Sequence, residues 1–179
     1  LPGPAFTGRM LVLPSGQVLY TNQQSGGTLH VYSPDGSPNA AWRPSINNIT
    51  NDTGSNLFTL SGYQLNGISE GAAYGDDATM ASNYPIVQLT DQAGNITFAR
   101  TFNWSSTGVS STYSTVNFTL APSQGLGSYL VNVIANGIAS PAVLDIQCGS
   151  ASGENFSIQA NANSNYTNVA LSFGGGAVA

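Results

Sequence analysis

The chain of 179 residues contains no lysine, three arginines and one histidine, set against eight acidic residues. Charged residues make up 6% of it, whereas soluble domains commonly carry roughly 25%. Few side chains are therefore available for acid–base, metal or phosphate chemistry. Without a basic cluster nothing neutralises phosphates, which argues against a nucleic-acid partner. The net charge of -5 argues equally against electrostatic attachment to a membrane surface. No apolar run approaches the length needed to span a bilayer. Cysteine is limited to Cys148, so no disulfide can form within the chain. Its plain reading is a small buried hydrophobe at a strand end, and its sharper one a bond to another chain. A catalytic thiol is the weakest reading, because nothing basic lies nearby in sequence to lower its pKa. The chain opens at Leu1 with neither Met nor a signal peptide, which reads as a mature or trimmed product.

What is present in quantity is Ser, Thr, Asn and Gly, interleaved with β-branched and aromatic residues. Hydrophobic residues reach 41%, enough for a proper core. Alternation with period two appears in Ile96, Phe98 and Arg100 against Thr97, Ala99 and Thr101. It recurs in Val116, Phe118 and Leu120 and in Tyr129, Val131 and Val133. Gly and β-branched residues are spread too evenly for a helix. These patterns predict an all-β chain in three parts.

Residues 1–44 form a β-meander, with strands around 9–14, 17–20 and 28–32. Three strands this short bury little and must lean on something else. Residues 45–147 form an immunoglobulin-like β-sandwich, with strands at 57–63, 85–90, 95–103, 113–120, 128–135 and 141–147. Turn signals separate them at Ala93-Gly94, Gly108, Gly125-Leu-Gly127 and Asn136-Gly137. Residues 148–179 form a Gly/Ser linker and a C-terminal strand extension, in which Val169, Leu171 and Phe173 share a face. Such a strand can pair at home or add to the edge of a neighbouring subunit.

Seven asparagines stand in N-x-S/T sequons: Asn48, Asn51, Asn95, Asn103, Asn117, Asn155 and Asn165. That is about twice the number chance would place. Glycans on them would supply the solubility that charge does not. An extracellular setting, secreted or on the cell surface, follows from the same observation.

The order of segments resembles a known family. Gly8-Arg-Met-Leu-Val-Leu-Pro-Ser-Gly-Gln-Val-Leu-Tyr20 followed by Val31-Tyr-Ser-Pro-Asp-Gly36 resembles the last blade of a kelch-type β-propeller. The stretch from Arg43-Pro44 through Gly71-Ala-Ala-Tyr-Gly-Asp-Asp77 to Ala135-Asn-Gly-Ile-Ala-Ser-Pro141 resembles the immunoglobulin-like domain that follows it in galactose-oxidase-like proteins. In that family the domain inserts a loop bearing one copper-ligand histidine into the propeller. The matching loop here, Tyr74-Gly-Asp-Asp-Ala-Thr-Met-Ala-Ser82, contains no histidine. The other copper ligands and the crosslinked Tyr–Cys pair would belong to the propeller. The resemblance therefore implies the fold and an extracellular setting, and it speaks against oxidase activity in this chain.

Other constellations are sparse. Glu70, Asp76 and Asp77 are hard oxygen ligands in a Gly-containing loop, and calcium is the one cofactor they suggest. Their spacing matches no EF-hand, and turn hydrogen bonding is the plainer reading. Adjacent Asp76 and Asp77 would point to opposite faces of a strand, unlike a glycosidase pair. A Ser–His–acid triad would have to use His30, and there is no G-x-S-x-G elbow. Trp42, Trp104, Tyr74 and Tyr84 offer faces for stacking on sugars, against core packing as the alternative. Two expectations follow. One is a non-enzymatic structural glycoprotein that self-associates into a homo-oligomer or filament, donating residues 166–173 or 5–14 as a strand. The other is a carbohydrate-binding or accessory domain of a larger galactose-oxidase-like protein.

Overall fold

The computed structural model describes residues 7–22, 26–51, 56–70, 82–122, 124 and 128–146, with the backbone alone at 144–146. The expected C-terminal extension, Cys148, Tyr74, Asp76, Asp77, Asn155 and Asn165 lie outside the described residues. Within them the protein is all-β, with eleven strands, no α-helix and a 3-10 turn over Ala40–Trp42.

The first three strands, β1 (Gly8–Val12), β2 (Val18–Asn22) and β3 (Leu29–Tyr32), form an antiparallel meander in the order β1-β2-β3. The β1–β2 turn closes through Leu13 N–H to the Gln17 carbonyl and Gly16 N–H to the Leu13 carbonyl. Gly16 there takes a φ of 83°, a left-handed conformation that glycine adopts without steric cost.

The sandwich follows. One layer consists of β4 (Ser45–Asn51), β5 (Phe58–Tyr63) and β8 (Tyr113–Phe118). The other consists of β6 (Ile86–Thr90), β7 (Ile96–Phe102), β9 (Ser128–Ala135), β10 (Ile138–Ala139) and β11 (Val143–Ile146). Strand β7 belongs to both layers. Its first part pairs with β6, and then Thr101 and Phe102 pair with Phe118 and Asn117 of β8. The two layers are thereby hydrogen-bonded into one path, β10-β9-β6-β7-β8-β5-β4. The order of strands in the two layers is that of an immunoglobulin-like sandwich.

Between the layers lies one core of Phe58, Leu60, Leu65, Val87, Leu89, Ala99, Val116, Phe118, Leu120, Val131 and Val133. Register explains the choice. Phe58 pairs with Phe118, and Leu60 with Val116, so their side chains share the inner face. The Phe58 and Phe118 rings stack with centroids 5.0 Å apart. Val87 is flanked by Val133 and Ala99 in the facing layer.

Two strands have no counterpart in the expected set. Strand β4, Ser45-Ile-Asn-Asn-Ile-Thr-Asn51, is rich in Asn, which strands disfavour. It is recruited by its ladder to β5, with a bulge where Asn47 is the extra residue. Gly62 makes that approach possible: a Cβ there would sit 2.0 Å from the Ser45 carbonyl oxygen. Strand β10 is a two-residue piece that precedes β11 on the same neighbour, β9. The β9–β10 turn has positive φ at both Asn136 and Gly137, 50° and 71°, as a two-residue type I′ hairpin requires.

That turn is also where the meander meets the sandwich. A Cβ on Gly137 would lie 2.7 Å from the Gly16 Cα and 2.8 Å from a Val12 methyl. The Arg43 guanidinium adds a hydrogen bond of 3.3 Å to the Ala139 carbonyl.

Candidate functional site

Strand direction gathers several loops at one end of the sandwich. The chain leaves β5 at Tyr63, re-enters β6 at Ile86, leaves β7 at Phe102, re-enters β8 at Tyr113 and turns from β9 to β10 at Asn136 and Gly137. The 3-10 turn before β4 lies at the same end, because Ser45 pairs with Tyr63. Gln64, with φ 58°, donates from its amide to the carbonyls of Ala41 and Arg43 and fastens that turn to the end of β5.

Three of the four aromatic residues singled out from the sequence come to this end, and Tyr74 is outside the described residues. Trp42 lines a cleft of about 330 Å³ together with Gly67, Ile68, Ser69, Asn136 and Ile138. The cleft's polar wall is a network of amides. Asn83 and Asn136 both donate to the Ser69 carbonyl, at 2.6 and 2.8 Å, and Ser82 donates to the Asn136 amide oxygen at 2.8 Å.

Tyr84 and Trp104 form a pair, with ring centroids 6.2 Å apart and planes inclined by 44°. Tyr84 is 49% exposed and Trp104 36%, so neither is a core residue. The indole is nonetheless fixed. Its Nε1–H donates at 2.8 Å to the hydroxyl of Thr101, which is buried and itself donates to the carbonyl of Pro85, next to Tyr84. Sequence alternation on β7 places Thr101 with Thr97 and Ala99. The structure turns that set inward and leaves Ile96, Phe98 and Arg100 exposed. A threonine on the inner face therefore orients a tryptophan at the surface.

A second feature is the open edge of the meander. All four residues of β3 are exposed, with Leu29 at 62%, Val31 at 55% and Tyr32 at 60%. Strand β2 holds one edge, and among the described residues no strand pairs with the other. His30 sits here, across from Tyr20 on β2, with ring centroids 6.3 Å apart.

The described sequon asparagines differ in what their Nδ2 atoms do, and Nδ2 is the atom a glycan would occupy. On Asn117 it donates to the Thr59 hydroxyl at 2.9 Å and to the Phe58 carbonyl at 3.3 Å. On Asn95 it donates to the Asp91 carboxylate at 2.8 Å, and on Asn51 to the Leu57 carbonyl at 3.4 Å. Asn48 is half-buried beside the β4 bulge. Asn103 is exposed and takes a left-handed φ of 51° as the chain leaves β7.

Glu70 is exposed at the last described residue before the expected calcium loop. Among the described residues no three His, Cys, Asp or Glu side chains gather into a group able to hold a metal ion. Asp91 accepts hydrogen bonds from the Asn95 side chain and from the backbone N–H groups of Asn95 and Ala93. These bonds, the Asn95 side chain's first, hold its carboxyl below the usual carboxylate range. It closes the β6–β7 turn, and its role is structural.

The sequence signals for the loop cluster were the exposed-type aromatics and the turn residues around them. Asn66 and Thr101 carried no such signal. Asn66 is a buried amide that donates to the Ser106 carbonyl at 3.0 Å and so ties two loops together, while its Oδ1 has no hydrogen-bond partner. No protein-family model, no curated protein and no solved structure matches this chain.

Proposed function

We propose that the chain is a non-enzymatic, secreted structural glycoprotein. It acts as a subunit of an extracellular homopolymer or fibre assembled by strand donation and packing. The observation that carries this reading is β3, an edge strand with every side chain exposed and no partner beyond β2 among the described residues. An open apolar edge is a template that pairs with whatever strand reaches it. A strand supplied by another copy, residues 166–173 by their alternation, satisfies the edge. A contact of this heterologous kind propagates into filaments unless it closes into a ring. The sequons and the scarcity of charge support a glycan-coated exterior.

The test is the mass and shape of the untagged protein by light scattering and negative-stain electron microscopy. Rings or filaments that vanish in Val31→Lys, and in a chain lacking residues 166–179, are expected. A lysine on an exposed edge blocks pairing without touching the core. A monomer at high concentration overturns the reading.

A second reading is favoured by the contact between Gly16 and Gly137, which fastens the meander to the sandwich. In it the meander is the last blade of a propeller in a larger galactose-oxidase-like protein, and β3 is covered by that protein's own strands. Monomers that gain stability on addition of a propeller fragment support this second reading.

A further inference from the structure

We infer that the loop end of the sandwich binds a neutral saccharide, with Tyr84 and Trp104 as its stacking surface. The inference does not rest on self-assembly, since β3 belongs to the meander and the aromatic pair to the sandwich loops.

Exposed aromatic residues are ordinary, but an exposed indole held in place beside a second exposed ring is less so. Trp104 is not free to fold back onto the core, because its Nε1–H is committed to Thr101. Thr101 is 1% exposed and its hydroxyl is committed in turn to the Pro85 carbonyl. The same short chain of hydrogen bonds therefore sets the indole and the backbone beside Tyr84. A surface organised before binding loses little entropy when a ligand settles on it. Tyr and Trp supply large, rigid contact area of this kind at low entropic cost.

The chemistry of the ligand follows from the segments that carry the rings. The segments that carry them, Ser82-Asn-Tyr-Pro85 and Asn103-Trp-Ser-Ser-Thr-Gly-Val-Ser-Ser-Thr112, contain no charged residue. A nucleotide would also stack, but its phosphate requires basic partners that these segments lack. An acidic sugar fails for the same reason. Two aromatic faces with amides and hydroxyls around them suit a molecule with apolar C–H faces and uncharged hydroxyls. A neutral hexose polymer has both.

The test uses the full chain made without N-glycosylation, so that a glycan on Asn103 cannot occupy the rings. Affinity electrophoresis in gels containing mannan, xyloglucan or a mixed-linkage β-glucan is expected to retard the protein in at least one of them. A polygalacturonate gel is expected to leave it unretarded. Tyr84→Ala should weaken the retardation by about tenfold or more, the usual cost of truncating a central aromatic contact. It should melt close to the parent, because the Tyr84 ring is half-exposed. With Trp42→Phe, Trp104 becomes the sole tryptophan, and its fluorescence should shift on addition of the retarding polysaccharide. Retardation in none of the neutral gels overturns the inference. So does retardation that survives both Tyr84→Ala and Trp104→Phe, because binding would then lie elsewhere, with the Trp42 cleft the first place to look.

Discussion

The meander and the sandwich are built from the same alphabet of short alternating strands, yet only one of them has an interior. In the sandwich, alternation on β5, β8, β6 and β9 finds a second layer, and eleven side chains close into a core. In the meander, alternation finds nothing on the far side of β3, and Leu29, Val31 and Tyr32 remain exposed. A strand pattern states which residues share a face. Whether that face is buried depends on a second sheet, and β3 has none among the described residues.

The sharpest test of this contrast is a pair of matched truncations. Phe118→Ala removes a fully buried ring stacked on Phe58 and should cost about 3–5 kcal/mol of stability. Tyr32→Ala removes a ring of similar size from β3 and should stay within about 0.5 kcal/mol. Denaturant melts of the two variants suffice. A large loss in Tyr32→Ala would mean that the meander has a covered face in solution.

The contact between the two regions comes next. Gly137→Ala places a methyl against Gly16 and Val12 at a left-handed φ, and strain of this kind costs about 1–3 kcal/mol. The meander should loosen while the sandwich holds. Hydrogen exchange is expected to accelerate across residues 8–32 and to change little at Leu60, Val87 and Val133. Uniform acceleration would show that the two regions unfold as one unit. Thr101→Val sharpens the comparison inside the sandwich. It deprives the buried Pro85 carbonyl and the Trp104 indole of their shared partner, at about 1–3 kcal/mol. It should also free the indole, seen as a loss of fluorescence anisotropy.

Much of the sandwich was legible because its strands alternate cleanly between strong turns. Asn136-Gly137 announced a turn, and the structure makes it a two-residue hairpin with both residues at positive φ. Strand β4 was not legible: an Asn-rich segment has little strand preference of its own and is held by β5 through the clearance at Gly62. The inner face of β7 was only half legible. Alternation separated Ile96 and Phe98 from Thr97, Ala99 and Thr101, but hydropathy would turn the first set inward. Thr101 goes inward because its hydroxyl has a carbonyl and an indole to satisfy there. The aromatic candidates were legible as residue types. That Tyr84 and Trp104 meet, while Trp42 lines a separate cleft with Ile68 and Asn136, depends on loop contacts that no local pattern encodes.

The smallest expected effect concerns Asp91, at the opposite end of the sandwich from the aromatic pair. The Asn95 side chain and the backbone N–H groups of Asn95 and Ala93 favour its charged form, so its pKa is lower folded than unfolded. A depressed carboxylate contributes stability that is complete above its unfolded pKa and is lost as pH falls through the folded value. The group lies in a surface turn beside exposed neighbours, so the effect is slight and local. Asp91→Asn should melt marginally below the parent at neutral pH, and the gap should close as the pH falls below the ordinary carboxylate value of about 4. In the parent, the protection of the Ala93 and Asn95 amides relative to their intrinsic exchange should fall over the same range while that of the core does not. A gap that persists at low pH would mean that the turn is held by the shape of its backbone and not by the charge of Asp91.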